Sequence, residues 1–356
     1  MIPWAKPNFF GKEQQYLNRA LRSSWISGGV YISKLENAIK SKFKIKYAFA
    51  VSNGTSAIHL SYLAANLHIG DEVIIPGFGY MAAANIAKLM NLKIVFADVN
   101  KFTFCLDLDN IKKVITRKTK AVVVINTYGN MHEVSLIRNF LKKRNIILIE
   151  DAAESFGTKH NKKYSGTIGD IGTFSFHATK NIVTGEGGAI VTNNPIFAKR
   201  IKLFRSHGVL KERYKHYAHG HNFRLTNMQA AIGCAQFENI NKIIIRRKII
   251  YLWYLKYIDR NLFELQDIPK NTDFIPWTFP IYLKKNSRNK LIDNLFKKNI
   301  ETRKGFYSAD RLKIFKLKKK LKNSNYLSQN IVCLPFFYSI SKKQVKLICR
   351  VINSLI

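Results

Sequence analysis

The chain has 356 residues, 47% hydrophobic and 23% charged, a balance that suits a folded globular protein with room for two domains. Lysine and arginine total 59 against 22 acidic residues, giving a net charge of +37; spread along the chain with no compact basic motif, they argue for compositional bias over a nucleic-acid partner. No apolar run approaches the ~20 residues of a membrane span, and Cys105, Cys234, Cys333 and Cys349 show neither metal-ligand spacing nor a disulfide framework.

In chain order, the opening MIPWAKPNFFGKEQQ lacks the basic-then-apolar order of a signal peptide, so cytoplasmic residence is expected. Seven short β-branched runs follow: YAFAVSN (47–53), EVIIPG (72–77), KIVFADV (93–99), AVVVINTYG (121–129), IILIEDA (146–152), TFSFHA (173–178) and GAIVTN (188–193). Helical segments lie between them; in the first, Ala57, Leu60, Ala64 and Leu67 recur at three- and four-residue steps. Near-continuous apolar strands alternating with helices predict an α/β domain with a mainly parallel sheet covered on both faces. From about Thr226 the pattern turns helical, and a domain change is placed near Lys248. The remainder, including the strand WTFPIYLK (277–284), reads as a smaller α+β domain. The dense cationic runs IIIRRK (243–248) and KIFKLKKKLKN (313–323) read as solvated helix faces.

Ligands of parallel α/β sheets gather at the carboxyl ends of the strands, and the chemistry-bearing residues lie there. SNGTSAIHL (52–60) reads as strand, tight turn and helix start. Backbone N–H groups at such a terminus attract phosphate, and Thr55 and Ser56 add hydroxyl donors. Tyr80 follows PGFG and offers an aromatic face for a ring to stack on. Asp151 follows the apolar run NIILIE, where a carboxylate is costly unless partnered. Lys180 stands between TFSFHAT and the glycines Gly185, Gly187 and Gly188, with Ser175 as a second candidate phosphate ligand. These glycines follow a lysine loop and precede a strand, the reverse of a dinucleotide fingerprint. A lysine that holds an aldehyde cofactor as a Schiff base, with an acid that keeps a pyridine nitrogen protonated, is what pyridoxal phosphate chemistry needs. Lys180 and Asp151 are candidates for that pair.

SNGTSA, GDEVIIPGFGY, EDAAESFGT, GDIGTFSFHATKNIVTGEGG and GHNFRLTNMQAAIG together resemble the DegT/DnrJ/EryC1/StrS family of sugar aminotransferases, over nearly the whole chain. The resemblance implies fold type I of pyridoxal-phosphate-dependent transferases, with a seven-stranded large domain (1–248) and a small C-terminal domain (249–356). It also implies a homodimer with shared active sites and no metal. Lys180 matches the Schiff-base lysine and Asp151 the pyridine partner. Glu154 falls near the cofactor's ring oxygen, Gly54, Thr55 and Ser175 on phosphate positions, and Tyr80 on the stacking position. Asn222 matches an asparagine that reaches the phosphate from the neighbouring subunit. The motif usually reads GYN; here it is GHN, with His221 in place of tyrosine. His221 and Arg224 are candidate substrate contacts. The implied reaction carries an amino group from glutamate to a nucleotide-linked 4-keto-6-deoxy sugar, in a perosamine-synthase-like manner, for surface polysaccharide. The alternatives are a 3-keto sugar or cyclitol acceptor, or a basic nucleic-acid-binding or regulatory protein without catalysis.

Overall fold

The computed structural model describes residues 1–283 and 288–354; Lys284, the last residue of the expected 277–284 strand, lies outside them. The large sheet has seven strands: β1 (Tyr47–Val51), β2 (Glu72–Pro76), β3 (Lys93–Ala97), β4 (Thr119–Ile125), β5 (Ile147–Asp151), β6 (Ile171–Ser175) and β7 (Gly188–Thr192). Their order is β1-β7-β6-β5-β4-β2-β3, and β7 alone runs antiparallel to its neighbours. Side chains alternate between two cores. Val73, Ile75, Val123 and Ile149 face one, and Ile74, Val122, Val124 and Leu148 face the other. This is the expected sheet, covered on both faces by helices.

Two strand ends differ from expectation. β4 stops at Ile125, because Tyr128 turns into the left-handed region (φ 58°) within a 3₁₀ turn at Thr127–Gly129. β6 begins at Ile171, where Gly172 lies so close to the Gly166 carbonyl that a Cβ would meet its oxygen at 1.9 Å. Gly188, the first residue of β7, is also tight: a Cβ there would meet the Phe174 oxygen at 2.6 Å and the Asn53 carbonyl carbon at 2.7 Å. Gly188→Ala is therefore expected to cost about 2–4 kcal/mol, read as a lower denaturation midpoint, because backbone rather than a flexible side chain must move.

A second, antiparallel sheet joins Phe263–Leu265, Phe279–Leu283, Ile331–Leu334 and Arg303–Lys304. Its core unites Phe263, Ile281 and Val332 with Ile250 and Tyr254 from the later part of helix Ile240–Tyr257. The chain's start is strapped to this part: Ile2 bridges Ile300, and the Trp4 amide donates to Glu301. Neither cationic run is simply a solvated helix face. Within 243–248, Arg247 is buried and donates to the carbonyls of Pro276 and Trp277. The 313–323 run is a 3₁₀ turn (Lys313–Phe315) and then loop, with helix only from Lys322, so most of its lysines lack helical spacing. All four cysteines are free and buried. Among the described residues no helix is long and apolar enough to cross a membrane, and no cluster suits a metal ion.

Candidate active site

The carboxyl ends of the parallel strands β1, β4, β5 and β6 lie along one edge and deliver the candidate residues there. Asp151 ends β5, paired with Ile125 on one side and Thr173 on the other. It is 6% exposed, and its Oδ1 accepts from the Ala153 amide at 3.1 Å. Burial raises its pKa, while that amide and nearby Lys180 pull it back down. Glu154 sits in the turn after β5; its Oε2 accepts from the Tyr128 amide at 2.8 Å. Its Oε1 is 3.8 Å from Lys180 Nζ. Burial pushes Glu154 up to about 7 despite the neighbouring ammonium. Burial lowers the Lys180 pKa in turn, and the two carboxylates oppose that shift.

Lys180 is held on the loop between β6 and β7, its amide donating to the His177 carbonyl at 2.8 Å. Its Nζ lies 3.8 Å from the centre of the Trp277 ring, within cation–π range. Trp277 is itself fixed, since its indole N–H donates to the Thr179 carbonyl at 2.8 Å. Trp277 carries no signal in the sequence, because a tryptophan heading a strand reads as core. Tyr128, stacked on Phe306 at 5.3 Å, was missed for the same reason.

The SNGTS turn forms as expected. Asn53 caps helix α1 (Gly54–Ala64), its side chain accepting from the Ser56 amide at 2.8 Å. The Ser56 hydroxyl bonds Ser52 at 2.9 Å, so Ser56 already has partners for both groups. The amides of Gly54 and Thr55 belong to the first turn, which no intrahelical bond serves, and Thr55 is exposed. Gly54 abuts Ser175: a Cβ would meet the serine's Cβ at 3.0 Å and its hydroxyl at 3.5 Å. The phosphate candidates Gly54, Thr55 and Ser175 thus converge.

Four candidates stand apart from this cluster. Tyr80 is 63% exposed, with an edge contact to Phe306. Asn222 is exposed on a segment that bridges Ser206, and Arg224 donates to the Ser206 hydroxyl at 2.9 Å while bridging Val51. His221 stacks on Phe223 at 4.5 Å and lies 4.7 Å from His59 of α1, so within one chain its ring packs on its neighbours. Burial first, and His221 second, push His59 down to about 4. A depressed histidine contributes stability that is present above its unfolded value of 6.5 and lost as pH falls toward 4. His59→Phe should therefore flatten the drop in melting temperature across that window; an unchanged slope would contradict this placement.

The donor set suits pyridoxal phosphate. Two buried carboxylates face one ammonium, so the cluster lacks a cation that a protonated pyridine nitrogen would supply, and free helix amides adjoin Ser175 for a phosphate. Comparison with known proteins agrees. The sequence pattern of the DegT/DnrJ/EryC1/StrS aminotransferase family matches residues 9–353. The GDP-perosamine synthase of Escherichia coli O157:H7 is 39% identical over 356 residues, covering 99% of this chain and 98% of the relative. That of Vibrio cholerae is 34% identical over 362 residues, covering 99% of each. The Escherichia coli GDP-4-keto-6-deoxy-D-mannose-3-dehydratase with bound hydrated PLP superposes with a TM-score of 0.92 at 26% identity, covering 99% of each chain. The chain belongs to the DegT/DnrJ/EryC1/StrS aminotransferase family and is a pyridoxal-phosphate-dependent transaminase acting in amino-sugar biosynthesis.

Proposed function

We propose that the protein carries an amino group from glutamate to the keto carbon of a GDP-linked 4-keto-6-deoxy sugar. The observation that carries this reading is the Lys180 ammonium set against buried Glu154 and Asp151, together with the free first-turn amides of α1. Two relatives that match 99% of this chain are GDP-perosamine synthases, which supports the nucleotide and the sugar.

When bound, pyridoxal phosphate supplies an electron sink for charge developing on the carbon next to nitrogen. The chain's residues supply the rest. Asp151 holds the ring-nitrogen proton, because a buried carboxylate needs a cationic partner. The amides of Gly54 and Thr55 and the Ser175 hydroxyl hold the phosphate. Lys180 would anchor the cofactor through Nζ, and when released that amine would be the group placed to hold and move the proton. Burial lowers the pKa of that amine, and Glu154, pushed up to about 7, lies 3.8 Å from it. Tyr80, exposed in one chain, would offer its aromatic face to the ring. Asn222 and Arg224 act across a subunit boundary. Their exposure in one chain supports this, as do the exposed apolar residues of the N-terminal arm, where Trp25 is 70% and Val30 62% exposed. The working unit is then a cytoplasmic homodimer serving surface polysaccharide, each subunit divided into two domains near residue 248.

Isotope-labelled glutamate tests the reading. Incubation with GDP-4-keto-6-deoxymannose should place the label in an amino sugar nucleotide detectable by mass spectrometry. Labelling only of a 3-keto sugar or a keto-cyclitol would refute it.

A further inference from the structure

The lysine-rich run that failed to form a helix face encloses something else. Lys101, Arg311, Lys318, Lys319, Lys320 and Lys322 line one cleft of about 800 Å³. None of the six takes part in an ion pair among the described residues. The one acid in the lining, Asp310, is engaged within the protein: it accepts from the Ser308 hydroxyl, the Leu321 amide and the Asn325 side chain. Lys101 comes from the loop after β3, far from the others in sequence, and lies over the Tyr326 ring at 4.5 Å. Two separate parts of the chain therefore supply cations to one concavity. Gathering six unneutralised cations raises the energy of the folded protein, and a cleft lined by one sign focuses its field on an anion.

We infer that this cleft is a binding site for a diphosphate-bearing ligand of nucleotide size. One phosphate would satisfy only some of the cations, whereas a volume of about 800 Å³ is that of a site for a small organic molecule. Lysine ammonium groups pair with phosphate as point charges and need no fixed geometry. The site shares no lining residue with the Lys180 cluster. It does adjoin the β2 end that leads to Tyr80, since Ala309 donates to the Gly77 carbonyl and Leu321 packs on Gly77.

Calorimetric titration of the holoenzyme with GDP, and separately with pyrophosphate, tests this at physiological salt. A variant with Lys318→Ala, Lys319→Ala and Lys320→Ala should bind both roughly tenfold or more weakly than the wild type. A control variant removes the same charge at the amino ends of β4 and β5, with Lys118→Ala, Lys142→Ala and Lys143→Ala, and should bind as the wild type does. Unchanged binding in the first variant, or equal weakening in both, would overturn the inference in favour of a chain-wide field. Two sources of the diphosphate are then separable, and this arm alone rests on the activity proposed above. If it belongs to the sugar nucleotide, the first variant raises KM for that substrate and leaves kcat unchanged. If it belongs to a separate ligand, KM stays constant and GDP still binds with the sugar nucleotide saturating. The binding result stands whether or not transamination is observed.

Discussion

Lys180→Ala is expected to lower transamination by more than about 10³-fold and to abolish the protein's covalent hold on its cofactor. Among the described residues, Glu154 pairs with Lys180 alone, and Lys180 is the cation that lowers the Asp151 pKa. The variant should still fold, because the lysine sits on a loop between β6 and β7 rather than in a core. Steady-state kinetics and the visible spectrum after desalting check both parts. Retained colour and turnover at wild-type levels would remove Lys180 from the mechanism.

Asp151→Asn should be nearly as damaging, lowering kcat by about 10²–10³-fold, because the amide preserves the shape but no longer favours a protonated ring nitrogen. The Ala153 amide bond to Oδ1 has a counterpart in asparagine, so the stability cost should be small beside the catalytic one. Circular dichroism and melting separate the two. An asparagine variant with wild-type kcat would show that Asp151 is a capping residue only.

How much of this was legible in the sequence depended on distance along the chain. Asp151 and Glu154 lie within one EDAAES run, and Lys180 follows one strand later, so local pattern brought all three together. The seven strands were legible for a similar reason, since each is a short apolar run whose neighbours are set by strand-helix alternation. Trp277 was not, because its place over Lys180 depends on Arg247 holding the carbonyls at Pro276 and Trp277. Such a contact has no periodicity to read. The early end of β4 was hidden in the same way, since Tyr128 has a strand-forming side chain but adopts a left-handed turn whose amide meets Glu154. The lysine run misled because charge spacing alone does not separate a helix face from a loop around a cleft.

The central claim is that Lys180 and its buried carboxylates transfer an amino group to a nucleotide-linked sugar. The most direct measurement is the visible absorption of the purified holoenzyme during stepwise addition of glutamate and then GDP-4-keto-6-deoxymannose. The account predicts that glutamate bleaches the band of the bound aldehyde cofactor and that the keto sugar restores it. A band that neither substrate alters, or a wild-type spectrum indistinguishable from that of Lys180→Ala, would contradict it.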